Sequence, residues 1–134
     1  MKTATLLAER LRSHRLTAPA RTVTDAAHHM LAVQSQGFTA GPRALDVRTG
    51  NPGRLRDVDL AFDRGDVVRG WTMRGTLHTV PARDLGWMLQ VTAGRQRQQA
   101  ASRHRDLGTD DDMVVAAVRA LTPALRDGAC TRAE

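Results

Sequence analysis

A mainly α-helical fold carrying one small β-hairpin is what this sequence predicts, and three observations predict it. In the first part of the chain, apolar residues recur at helical spacing behind residues that cap helices well, as in Leu6, Leu7 and Leu11 or Val23, Ala27 and Met30. From Val67 the period changes to two and continues, across a turn at Gly75, to Val80. Behind Asp110, Asp111 and Asp112 the helical period returns in Val114, Val115, Val118 and Leu121, with the acids at the positive end of the helix.

The elements follow in order. Leu6, Leu7, Leu11 and Leu16, behind Thr3 or Thr5 as cap, define a first helix that ends before Pro19. Thr22 or Thr24 caps a second, whose face of Val23, Ala27, Met30 and Leu31 extends to Gln34 and is expected to stop in a left-handed turn at Gly37. Pro42 to Val47 make a short third helix, and residues 48–53 read as loop. Asp57 or a neighbour starts a fourth, with Val58 and Phe62 four apart and closure near Gly65. In the hairpin, Val67, Arg69, Trp71 and Met73 fall on one face and Val68, Gly70, Thr72 and Arg74 on the other.

After Pro81 a long helix carries Leu85, Met88, Leu89 and Thr92 on one face, with Trp87 beside it, before the pattern fades into Gly94–Gln99. Trp71 and Trp87 are expected as core anchors of the hairpin and the long helix. Pro123 is expected to kink or end the helix behind the three aspartates. Gly128 closes that segment, and Thr131-Arg132-Ala133-Glu134 has the form of a capping box, announcing another helix where the sequence stops. This order matches a winged helix-turn-helix unit over residues 1–105, followed by the start of a second, truncated, over 106–134.

Composition narrows the function classes. At 134 residues with 41% hydrophobic and 25% charged residues, the chain lies in the range of folded globular proteins. The net charge is +6, carried almost entirely by arginine, since Lys2 is the only lysine. Such a balance points to an anionic partner, nucleic acid before lipid, because no strongly basic amphipathic anchor is present. Cys130 is alone, the histidines have no metal-ligand spacing, and Met1–Leu16 lacks the apolar core of a signal peptide. No metal, no cofactor and no membrane partner are expected, and a reducing cytoplasm fits.

Basic residues gather around Arg10–Arg15, around Arg43–Arg56, and between Gly94 and Arg105, where no acid interrupts Arg95, Arg97, Arg103, His104 and Arg105. A solvated helix face is the commoner outcome for so short a run; contact with phosphate, aided by Gln96, Gln98 and Gln99, is the alternative. Arg43, Arg74, Arg95, Arg97, Arg103 and Arg105 are the candidate DNA-binding residues. Aromatics make up 3% and Tyr is absent, which favours duplex DNA over single strands held on a stacking platform. Phe38 is the aromatic placed nearest a candidate site, and His78 is expected to be satisfied by a backbone partner.

The segment Val68-Arg69-Gly70-Trp71-Thr72-Met73-Arg74-Gly75-Thr76-Leu77-His78, together with Ala32-Val33-Gln34-Ser35-Gln36, resembles the signature of a bacterial winged-helix family that includes the AlkZ-like DNA glycosylases. The resemblance runs over nearly the whole chain. It implies that Gln34 and Gln36 are catalytic, as the Gln-x-Gln pair that positions the attacking water, in a monofunctional N-glycosylase acting on double-stranded DNA bearing alkylated purines. It also implies that this sequence is the front part of a longer protein and inactive alone. Ser35 and Gly37 depart from the family pattern, which commonly has an apolar residue and an acid there. A noncatalytic DNA-binding protein or regulator with the same fold is the alternative, and a domain whose basic surface meets an acidic protein is a third.

Overall fold

A computed structural model describes residues 3–126 and 128–129. Its helices are α1 (Thr3–Ser13), α2 (Val23–Met30), α3 (Ala40–Asp46), α4 (Leu55–Asp63), α5 (Ala82–Asp106) and α6 (Asp111–Arg126). Its strands are β1 (Val33–Gln34), β2 (Val67–Met73) and β3 (Thr76–Pro81). The fold is mainly α-helical with a small antiparallel sheet, as the periodicities predict. The chain divides into two compact units, one up to Gln96 and one from Arg97. Cys130 and the Thr131–Glu134 capping box lie outside the described residues.

Helix α2 starts where Thr22 Oγ1 accepts the Asp25 amide at 3.0 Å. It ends four residues before Gln34. Leu31, at φ 63° and ψ −53°, makes a γ-turn closed by Ala32 N donating to Met30 O at 2.7 Å. The stop is therefore this strained leucine and not Gly37, whose φ is not positive. Gln34 accordingly lies on β1 and not on a helix face. The apolar repeat of α2 happens to continue in phase through Gln34, whereas β3 offers an open strand edge, and pairing with that edge decides the conformation.

The sheet order is β1-β3-β2, with Val33 opposite Thr79, Gln34 opposite His78, and Val67 opposite Pro81. Val33 and Val67 join Ala26 and Ala27 of α2, Leu45 of α3, and Val58 and Ala61 of α4 in one buried cluster. Leu85 of α5 lies against the other face, near enough that a Cβ on Gly70 would meet its Cδ1 at 3.6 Å. His78 is buried, and its Nδ1 donates to Thr76 O at 3.1 Å, which fixes the tautomer and matches the expected backbone partner.

Arg74 and Gly75, with φ of 53° and 66°, form the two-residue turn whose twist suits a hairpin. Beside it the register skips between Trp71 and Met73, so Thr72 is the extra residue of a β-bulge. The strict alternation expected through Arg74 stops there, and Thr72 is buried next to an exposed Trp71. Trp71 is 59% exposed and Trp87 45%, so neither is the core anchor expected. Alanines and valines dominate the core, which brings the elements too close together to admit an indole.

Asp46 is buried, and its carboxylate accepts the amides of Gly53 at 2.7 Å and Arg54 at 3.1 Å. This ties the 48–53 loop to the start of α4, which has no side-chain cap of its own. Helix α5 runs unbroken through Gly94 to Asp106. In the second unit, Asp110 Oδ1 accepts the Met113 amide at 2.8 Å and so caps α6, which continues past Pro123 to Arg126 instead of ending there.

Ser35 and Thr79, both fully buried, share a hydroxyl hydrogen bond of 2.7 Å, and α3 passes so close that a Cβ on Gly41 would lie 1.9 Å from Ser35 Oγ. Gly41→Ala is expected to cost about 1–3 kcal/mol of stability in urea unfolding. That cost should shrink when Ser35 is replaced by Gly in the same chain, since the two changes meet at one point.

Candidate nucleic-acid site

Three residues after the end of α2 the chain alternates: Val33 buried, Gln34 exposed, Ser35 buried, Gln36 exposed. Two-residue periodicity puts both glutamines on the outer side of the strand and Ser35 inside. Strand β1 is short for a reason visible in its hydrogen bonds. Extending its register would pair Ser35 with Leu77 through two backbone bonds. Only one forms, from Ser35 N to Leu77 O at 2.8 Å. The Leu77 amide instead donates to Gln36 Oε1 at 3.1 Å, and Ser35 O accepts from Arg69 Nη2 at 2.5 Å.

A side-chain amide has thus replaced a ladder carbonyl. The bond settles which end of the Gln36 amide faces the strand, because only the oxygen can accept from Leu77. Gln36 Nε2 and the second lone pair of Oε1 have no partner among the described residues, and neither does the Gln34 amide. These are neutral hydrogen-bonding groups on a fixed backbone, able to hold a water or the edge of a base.

Arg69 is the residue that the sequence reading missed. From β2 its guanidinium reaches the carbonyls of Ser35 and, at 3.3 Å, Gln36, and its Cζ lies 5.6 Å from the centre of the Phe38 ring. One cation therefore holds the backbone around both glutamines and the aromatic beyond them. The available signal was an arginine as the one charged residue of the strand, between Val68 and Gly70.

The departures from the family motif have different explanations. Ser35 Oγ donates to Val33 O at 3.0 Å and bonds Thr79 Oγ1, so its polarity is satisfied inside the core. At Gly37 a Cβ would meet only Ala40 Cβ, at an ordinary 3.5 Å, so the fold does not require glycine there.

The candidate arginines are distributed along the chain. Arg43 is exposed on α3, Arg74 at the hairpin turn, and Arg95 on the part of α5 that belongs to the first unit. In the second unit Arg97, Arg103 and Arg105 are exposed on α5. Arg97 and Arg105 line a cleft with His104, but Asp110 and Asp111 of the α6 start line it too, so acids partly offset this basic run. Among the described residues no three His, Cys, Asp or Glu side chains converge as a metal site, and no helix is long and apolar enough to cross a membrane.

Replacing Gln36 by Ala removes the acceptor of the Leu77 amide, whose hydrogen exchange should accelerate by roughly tenfold, the equivalent of one net hydrogen bond. Arg69→Gln should lower global stability by about 1.5–3 kcal/mol, the range for bonds made by a charged donor. Both effects are readable by exchange-detected NMR and denaturant unfolding.

No curated protein sequence matches the chain. Among solved structures, the Streptomyces sahachiroi DNA glycosylase AlkZ matches with a TM-score of 0.80 and 21% identity, over 100% of this chain and 36% of that one. At that identity the likeness establishes the fold, and the chain spans little more than a third of that protein's length. The model of the AlkZ-like DNA glycosylase family matches residues 27–134, which include both glutamines, the sheet and both long helices. The chain belongs to the AlkZ-like DNA glycosylase family.

Proposed function

We propose that this chain is the DNA-binding, glutamine-bearing part of a monofunctional N-glycosylase that removes alkylated purines from double-stranded DNA. The observation that carries the reading is the outward pair Gln34 and Gln36, with the Gln36 amide oriented by the Leu77 N–H at 3.1 Å. In support, the helices before the hairpin and the hairpin itself have the order of a winged-helix unit, with the segment from α6 onward as the opening of a second. Arg43, Arg74, Arg95, Arg97, Arg103 and Arg105 would meet phosphates, whose contacts position a protein without reading sequence.

The chemistry is compatible with neutral amides. Alkylation at N7 or N3 makes the purine cationic, so it departs without protonation. Water attacks C1′ as the C1′–N9 bond breaks, the bonding pair neutralises the purine, and the proton of the water passes to solvent. A glutamine is no base. Gln36 would hold the water and direct its dipole toward the developing oxocarbenium ion, with Gln34 supporting it.

One observation favours a noncatalytic DNA-binding protein instead: Gln36 already has a structural bond, to Leu77. Activity separates the two readings. Protein expressed from the full open reading frame should release free base from duplex containing N7-alkylguanine, and Gln36→Ala should slow release by at least about 100-fold while leaving DNA affinity intact. Binding without release would leave the noncatalytic reading. If six arginines neutralise phosphates, log affinity should fall against log salt with a slope of roughly −5.

A further inference from the structure

Phe38 is 83% exposed, the most exposed large apolar side chain among the described residues. Its chain neighbours Gly37, Thr39 and Ala40 are small, and the group against its ring is the Arg69 guanidinium, which also bonds the Gln36 carbonyl. An exposed aromatic ring usually gains by turning toward whatever apolar surface is near. Here the Arg69 cation, itself held by the carbonyls of Ser35 and Gln36, draws one ring face toward the protein and leaves the other open.

We propose that Phe38 is a nucleobase-stacking residue, a flat surface on which a base displaced from the duplex beside the glutamines is held. The inference rests on the DNA-binding reading above. Three properties of the position point to a base and not to a protein side chain. The residues beside it in the chain, Gly37, Thr39 and Ala40, add little apolar surface to the ring, whereas a protein contact would ordinarily offer a contiguous one. The group against it is a guanidinium, a donor that suits base edges and phosphate. Phe38 stands two residues beyond Gln36, and Gln34, Gln36 and Phe38 are all exposed. One ring is too little for a single-strand platform but enough for one unpaired base, and that agrees with a chain in which aromatics are only 3%.

The test uses the full 134-residue chain and two fluorescently labelled duplexes, identical except that one carries a single unpaired adenine. The wild type should bind the bulged duplex about 5- to 150-fold more tightly, the range of one aromatic–base stack. Phe38→Ala and Phe38→Leu should bring that ratio close to one without changing affinity for the paired duplex, and Phe38→Trp should keep it. Thermal unfolding of the three variants should match the wild type, since the side chain is exposed. A wild-type ratio of one, or a ratio that survives Phe38→Leu, overturns the proposal while DNA binding stands, and returns the ring to a protein partner. Absence of binding to either duplex at low salt overturns the DNA-binding reading and this inference with it.

Discussion

Strand β3 is bonded on both edges, and the rest of the first unit depends on what it holds there. The critical contact is the one between Thr79 and Ser35. Both hydroxyls are sealed from solvent; Ser35 Oγ has a second partner in Val33 O, but Thr79 would be left without one at about 1–3 kcal/mol, so the 2.7 Å bond is kept by the cost of losing it. Gly41 lets α3 close over the pair, where any side chain would strike Ser35. One point of contact thus fixes β1 against β3 and α3 against both. Because Ser35 faces in, Gln34 and Gln36 must face out.

The edge beyond Ser35 is less regular and more useful. A continued ladder would have consumed the Ser35 carbonyl and the Leu77 amide on each other. The structure gives the first to Arg69 and the second to Gln36, so the backbone is satisfied while a side-chain amide is drawn tight against the strand. Entry to this segment is strained as well, since Leu31 takes a positive φ that suits glycine far better. Sheet pairing and the buried hydroxyl pair must outweigh that strain. Sites often show such local departures from easy geometry, compensated by the surrounding fold.

Elements set by local chemistry were legible in the sequence. A threonine cap on α2, a turn at Gly75 and the aspartates at the start of α6 each act within a few residues of themselves, and the sequence showed each of them, although it left the cap open between Thr22 and Thr24 and ran the strand on through Arg74. What failed depended on distant partners. A two-residue strand has no periodicity of its own, and Val33–Gln34 exists because β3 is there to pair with it. Asp46 reaches amides seven and eight residues on, and Arg69 reaches carbonyls more than thirty residues back, so neither role shows in a local window. The tryptophans were misread because apolarity suggested burial, whereas the space between elements was set by alanine and valine. Gln34 and Gln36 themselves came from the family resemblance, since no spacing rule marks a pair of amides as a site.

The serine between the glutamines looks at first like damage to a functional motif. Its position argues otherwise. The middle residue of an alternating triplet points away from its neighbours, so its polarity is a matter for the core and not for the groups outside. An apolar residue there would pack; a serine there needs a partner, and Thr79 supplies one on the adjoining strand while Gly41 supplies the room. The change is thus balanced inside the protein, and the outward pair keeps its spacing and its side of the strand. If the pair acts as proposed, what it needs from the triplet is geometry, because neutral amides act by holding and orienting rather than by exchanging protons. Geometry is what the buried serine preserves.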